Sequence, residues 1–552
     1  MADGSGGAGR VFGIDLGTTY SAIAYIDETG KPTVVRNANN SETTPSVVQF
    51  ETASNVVVGQ VAKDSAVVDG DSVVSLIKRE MGAEREYPFH GEVHTPESIS
   101  AIILRQLAAD AAAATDGPVE QVVITVPAYF GGREKEATKK AGLIAGLDVV
   151  GILPEPVAAA VHYDLSSGGA DTTVLVFDLG GGTFDTTVIQ VTASEIAVLC
   201  TDGDTNLGGA DWDARLRDHL IDRFVAEAAP AESPRDDNEF LQDVAIRAEE
   251  LKKKLSLQES RPVTLRFGGG TAKIEVTRAE FETMTADLMD RSIDIVKRTL
   301  DTLKEKAPDV TIDDVLLVGG SARMPVVRAR LAEEFGWDPK LHDPDLAVAK
   351  GAALFALSRV VFRLQEEAKK NATSEQQGER AADRVVTDVA RDVGVPEAML
   401  KQLVQKRTRN VLPKAFGVRV WDRTADRDFV QHLAFANDPL PTGDRAFSPG
   451  TAEDNQPSVL IELYEQAGPV LSDALTHNRP LNQGSGVIDG IPPQPAGAPI
   501  DIVMAIDEDG MLQLHATERR SGKDLHINVT VGMTTEEIAE AIDVMSKISV
   551  TS

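Results

Sequence analysis

Short runs of β-branched and aliphatic residues alternate with stretches of helical period from Val11 to about Ser358, the texture of an α/β domain. The runs VFGIDLG, SAIAYI, VVITVPAYF, DTTVLVFDLG, TTVIQV and DVLLVGG predict strands; SISAIILRQLAADAAAA and RAEFETMTADLMDRSIDIVKRTLDTLKE predict helices. Residues 359–412 change character: glycine is scarce, charge is dense, and Val385, Val386, Val389 and Val393 fall on one helical face. Gly394 and Pro396 mark a stop and a new start, with Met399, Leu400, Leu403 and Val404 lining a second helix. From Pro413 to about Val531, short alternating strands broken by Pro, Gly and Asn-Asp turns predict a β-sandwich. The closing TTEEIAEAIDVMSK reads as a capped helix start that ends almost at once. The expected organisation is a flexible tail over 1–10, an α/β domain over 11–358, a helical insertion over 359–412, a sandwich over 413–535 and a short remnant over 536–552.

Length and charge narrow the function. At 552 residues the chain is too long for one core. Lys and Arg number 55 against 86 Asp and Glu, a net charge of −31, which repels phosphate backbones and anionic membranes. Nucleic acid and membrane are therefore not expected partners. No apolar run reaches the ~18–20 residues of a membrane span, and MADGSGGAGR lacks the apolar stretch of a secretory signal. Cys200 stands alone, which excludes an intrachain disulfide and a cysteine metal cluster. A reducing, cytoplasmic compartment is expected, and the Ala-, Arg- and Asp-rich usage suggests a bacterial source.

Chemistry enters with a near-repeat. Gly13-Ile14-Asp15-Leu16-Gly17-Thr18-Thr19 returns as Phe177-Asp178-Leu179-Gly180-Gly181-Gly182-Thr183. Each is an apolar strand, an Asp at its end, a Gly turn and a hydroxyl residue. Glycines let successive backbone N–H groups converge on an anion, and Asp at a strand end can hold a divalent cation through its water shell. One copy alone is ordinary turn chemistry; two facing copies make a clamp on a triphosphate–Mg²⁺ complex. A third turn, Gly319-Gly320-Ser321-Ala322-Arg323, could bring backbone close to a flat base with Arg323 stacked on it, or could simply join strand to helix.

The ordered motifs GIDLGTTYS, VITVPAYF, ILPEPVAAA, VFDLGGGTFD, GDTNLGGADWD, ELKKKLS and LLVGGSARMP resemble the DnaK-type 70-kilodalton heat-shock family, over nearly all of residues 11–358. VLPKAFGV, TAEDNQPSVLIELY and IDGIPPQPAGAPIDIVMAIDEDGMLQLHATE resemble that family's peptide-binding β-domain. The resemblance implies an α/β actin-like ATPase of two lobes with ribonuclease H-like subdomains, followed by the helical insertion and an all-β sandwich. It also implies ATP/ADP and Mg²⁺ as cofactors, with K⁺ as a further ion.

Carried over, Asp15 and Asp178 face the metal's water shell, Asp185 is a second acidic neighbour, and Gly17, Thr18, Thr19, Tyr20 and Thr183 line the phosphates. Gly180, Gly181 and Gly182 supply amides, Lys78 reaches the γ-phosphate, and Glu155 orients the attacking water. Glu249, Lys252, Lys253 and Ser256 match the adenosine-binding helix, with Gly319, Gly320, Ser321, Arg323 and Asp345 opposite. Val418, Val420, Trp421, Phe447, Ala452, Val459 and Ile461 match the peptide pocket, although Val459 and Ile461 equally suit ordinary sandwich core. Extended unfolded segments, a J-domain co-chaperone and a nucleotide-exchange factor are the implied partners.

The chain departs from the family pattern in three places. The polar, basic stretch Gln405-Lys406-Arg407-Thr408-Arg409-Asn410 stands where the family has a Leu-rich acidic linker, so docking by apolar burial is not expected and interdomain coupling is weakened or carried otherwise. The segment after the sandwich is too short for the family's lid, which suggests fast substrate exchange. The stretch between Gly82 and Val122 is short, and Ala210 replaces a usual glutamate. The leading expectation is an ATP-dependent chaperone; a nucleotide-gated scaffold with one dedicated partner is the alternative, and a metabolite kinase a distant third.

Overall fold

The computed structural model describes residues 10–167, 171–468, 470–508, 510–529 and 535–551. The near-repeat becomes two equivalent sheets. In the first, strand Val11–Asp15 pairs in parallel with Gln121–Val126, which pairs in parallel with Asp148–Pro154; its other edge pairs antiparallel with Tyr20–Ile26. In the second, Thr172–Leu179 pairs in parallel with Asp314–Val318 and antiparallel with Phe184–Val191. Each central strand therefore carries its Asp at or one residue before its end and turns through glycine into an antiparallel neighbour. Continuous apolar runs suit strands covered on both faces: Phe12, Ile14, Val174, Val176 and Phe177 are buried.

Two helices cross between the sheets. Ala347–Lys370 lies on the first sheet, and Glu155–Ser167 meets the second. Small residues set the spacing, because a Cβ on Gly351 would stand 1.8 Å from the Ala158 carbonyl oxygen. One on Gly13 would stand 2.1 Å from the Ala353 nitrogen. The predicted insertion helices are Glu375–Val393 and Glu397–Gln405, with Ser374 accepting at the first N-terminus and Gly394 left-handed at its end (φ 79°). Val386, Val389, Leu400 and Leu403 are buried in one core with Val360 and Val361, while Val385, Val393, Met399 and Val404 pack on its margin.

The sandwich has two four-stranded sheets. One runs Arg427–Ala434, Phe416–Asp422, Ser458–Gln466, Asn478–Asp489; the other runs Arg445–Phe447, Ile500–Ile506, Leu512–Glu518, Asp524–Val529. Val418, Ile461, Leu463 and Ile488 share a core with Ile502, Met504, Leu514 and Ile527.

The last segment packs away from the sandwich. Met545 and Ile548 join the core of the first lobe, Arg105 Nη1 donates to the Met545 carbonyl at 2.6 Å, and Ser549–Thr551 pairs in parallel with Asn55–Val58.

Candidate nucleotide site and interdomain contacts

Both Asp-Gly hairpins open onto the seam between the lobes and touch there. A Cβ on Gly182 would lie 2.2 Å from Thr18 Cγ2, and one on Gly181 1.9 Å from Thr19 Oγ1. Only glycine permits this approach. Asp15 stands at one strand end, where Thr125 Oγ1 donates to it at 3.2 Å. Asp178 and Asp185 sit directly opposite on adjacent strands, which brings two carboxylates onto one face. The Ala128 N–H donates to Asp185 Oδ2 at 3.2 Å, while Asp185 Oδ1 is buried without a hydrogen-bond partner.

Lys78, from the short turn Ile77–Glu80, is bound to Glu155 at the start of helix Glu155–Ser167, and both are buried. Burial first, and then Glu155, pushes the Asp15 carboxyl up to about 7. Burial and the same neighbour raise Asp178 and Asp185 well above the usual carboxylate range, with Asp15 and Asp178 respectively adding to it. Three buried carboxylates and the half-buried Asp15 thus gather around one ammonium already held by one of them. That excess of negative charge, with an orphaned oxygen in it, fits a divalent cation.

The outer part of the seam carries the predicted base-side residues. Lys63 and Lys253 both bind Glu249, and both donate to the Tyr20 hydroxyl at 2.9 Å, tying helix Gln60–Ser65 of the first lobe to helix Asn238–Leu255 of the second. Burial alone would raise Glu249, but the two ammonium groups overcome it and hold this carboxyl at about 2. Lys252 donates to the Gly209 carbonyl at 2.9 Å and to Asp213 at 2.7 Å. Ser321 Oγ lies beside Gly209, where a Cβ would come within 2.3 Å of it. Gly319 has φ 82° and is pressed on the Leu179 carbonyl, and Arg323 is held by Asp345 beside Gly320 rather than lying free. Ser256 Oγ donates to its own helix at the Lys252 carbonyl, 3.1 Å.

Sequence reasoning missed Arg79, which donates to the Gly182 carbonyl at 2.6 Å and to Asp211 at 2.7 Å, so locking one hairpin to the helix behind it. Its only signal was adjacency to Lys78. It also passed over Lys63, and over the half-buried Tyr129 of the VPAYF run, whose hydroxyl oxygen is buried beside Asp185 and Thr183.

The peptide-pocket candidates do not form one surface. Val418 and Ile461 are buried in the sandwich, with Val420, Phe447 and Val459 on its margin. Trp421 projects from the opposite face, 44% exposed, because successive strand residues alternate. Ala452 is exposed; its carbonyl accepts from Arg423 just beyond the same strand.

The stretch before the sandwich docks by a route its polarity did not suggest. Arg407–Arg409 adds a parallel strand to Glu195–Asp204, at the edge of the second lobe's sheet. Backbone pairing is indifferent to side-chain polarity. Lys406 is anchored on Asp164 at 4% and 3% side-chain exposure, and Arg409 reaches Glu195 at 3.2 Å. The sandwich also meets both lobes directly: Lys414 binds Glu134 at 3.2 Å, and the Thr201 N–H donates to Asn437 Oδ1 at 2.8 Å.

Paired sheets, facing hairpins and a trailing sandwich define an actin-like ATPase fold joined to a β-domain. The family model described as Hsp70 protein matches residues 11–89, 83–362 and 407–551. The chain belongs to the Hsp70 family. It is 33% identical to the chaperone protein DnaK of Thermosipho africanus (strain TCF52B) over 523 residues, 93% of this chain and 79% of that protein. The same figures hold for the chaperone protein DnaK of Thermosipho melanesiensis. The family match passes over 363–406, the stretch holding both insertion helices. Among the described residues, no helix is long and apolar enough to cross a membrane.

Proposed function

We propose that this chain is an ATP-hydrolysing chaperone that binds extended apolar segments and couples the two events through its docked linker. The observation that carries the reading is the buried carboxylate cluster at the two touching hairpins, with the Lys78–Glu155 pair beside it. Asp15, Asp178 and Asp185 would hold Mg²⁺ through its water shell; the ion bound to ATP supplies charge neutralisation for phosphoryl transfer. Thr18, Thr19 and Thr183 donate to phosphate oxygens, Lys78 balances charge at the terminal phosphate, and Glu155 orients a water. Glu249, Lys252 and Arg323 would flank the nucleoside. A J-domain partner and an exchange factor accompany such a cycle, which suits a bacterial cytoplasm.

The scaffold reading draws on the dispersal of the pocket candidates, since Trp421 and Ala452 stand outside while Val418 and Ile461 are core. Broad binding of unrelated unfolded proteins favours the chaperone, and one tight partner favours the scaffold. For the ATPase itself, Lys78→Ala should lower turnover by about 10²–10³-fold while nucleotide still binds, as for loss of one transition-state donor. Unchanged turnover would defeat the assignment.

A further inference from the structure

Three chemically apt side chains meet on the outer face of the sandwich, far in sequence from the hairpins. His515 on strand Leu512–Glu518 and His526 on Asp524–Val529 are paired in register, and Thr517 is paired with Asp524. Alternation sends Leu514, Ala516 and Ile527 into the core and both histidines into solvent. Their rings stack at 4.0 Å and 6°. Asp524 shares their face, two residues from His526, and its Oδ2 lies 3.1 Å from His526 Nε2 and 3.5 Å from His515 Nε2. One donor atom from each residue falls within 4.8 Å of the others. Among the described residues, the ion-pair partners of Asp524 are these two histidines, and no lysine or arginine neutralises it.

We propose that His515, Asp524 and His526 form a binding site for a divalent transition-metal ion of the zinc class. In a tetrahedral site with bonds of ~2.0–2.1 Å, neighbouring donor atoms lie about 3.4 Å apart. The two nitrogen–oxygen separations of 3.1 and 3.5 Å bracket that spacing, and the rings, now parallel to within 6°, would turn out of their stack so that both nitrogens aim at one ion. Two imidazoles and a carboxylate favour zinc, nickel or copper over magnesium or calcium, which prefer oxygen alone. That chemistry separates this site from the carboxylate cluster at the hairpins. Solvent exposure gives the ion a path in and leaves water to fill the fourth position.

The site also bridges two strands, and Asp524–Val529 is the edge of its sheet. A bound ion would clip that edge to its neighbour, where a single open coordination position faces outward. The edge strand is the last of the sandwich before helix Thr535–Ser546, so the clip fixes the end of the β-domain from which the closing segment departs.

The test is calorimetric titration of the full chain with zinc chloride in excess magnesium, backed by cobalt(II), whose visible absorption reports tetrahedral nitrogen–oxygen ligation. One equivalent should bind. His515→Ala and His526→Ala should each weaken it by about 100-fold or more, and Asp524→Asn by about 10-fold, since even an outer-sphere partner is worth 10–100-fold. All three positions are exposed, so the variants should retain wild-type circular dichroism and nucleotide binding. The partly buried His162–His342 contact, 3.0 Å between ring nitrogens, is the internal control, and His342→Gln should leave the zinc affinity unchanged. Zinc affinity unaltered by His515→Ala and His526→Ala, loss of binding in His342→Gln instead, or no uptake at millimolar zinc would each overturn the proposal.

Discussion

Removing the Lys406 ammonium should release the linker. Lys406 and Asp164 lie 242 positions apart and are almost fully excluded from solvent. Deleting one member of a buried ion pair costs ~3–5 kcal/mol, because the remaining charge is stranded. Here Asp164 has an escape: undocking the linker lets water reach it, so the loss appears as a shift between docked and free linker. What opposes release is a three-residue strand pairing, with hydrogen bonds such as Arg407 N–H to the Ser194 carbonyl at 2.9 Å. Each is worth about 0.5–1.5 kcal/mol net, and the exposed Arg409–Glu195 pair under about 1 kcal/mol. A loss of ~3 kcal/mol, roughly two orders of magnitude in equilibrium constant, therefore wins or nearly wins.

Lys406→Met should make the amides of Arg407, Thr408 and Arg409 exchange at least tenfold faster, and should free the backbone at the two exposed arginines for trypsin cleavage. The double change Lys406→Met with Asp164→Leu, which removes both charges, should restore most of the protection. Wild-type exchange and trypsin resistance in Lys406→Met alone would refute the anchoring argument.

Closure of the seam and its pH response give two further tests. Gly182→Ala places a methyl 2.2 Å from Thr18; overpacking of this kind costs about 2 kcal/mol, so nucleotide affinity in calorimetry should fall roughly thirtyfold. An unchanged affinity would show that the hairpins need not touch. Glu249, held at about 2 against its ordinary 4.5, gives stability that is present above pH 4.5 and lost as pH falls toward 2, about 3 kcal/mol in all. Denaturant titrations of wild type and Glu249→Gln should therefore differ at neutral pH and converge as pH falls from 4.5 to about 2, and a constant gap across that range would contradict the assignment.

What the sequence could disclose follows physical range. The hairpins were legible because strand, Asp and glycines are contiguous, and the insertion helices because Val386, Val389, Leu400 and Leu403 keep a helical period. Motif position grouped Trp421 with Val418 and Val420, whereas strand alternation sends its side chain to the opposite face. Side-chain polarity told against apolar burial of the linker but not which contacts replace it, since the docking of Arg407–Arg409 is a backbone event and the buried Lys406 charge meets a partner on a distant helix. The packing of Met545 and Ile548 on the first lobe, and the meeting of His515 with His526, depend on tertiary contact and strand register that no local pattern specifies.

The most direct test of the account is steady-state ATP hydrolysis by the intact chain, with and without a saturating extended apolar peptide, beside the Lys78→Ala variant. Magnesium-dependent turnover is expected, lowered about 10²–10³-fold in Lys78→Ala and accelerated by peptide, because hairpins, linker strand and sandwich are one connected structure. Turnover no higher than that of Lys78→Ala would contradict the catalytic reading, and turnover indifferent to peptide would contradict the coupling.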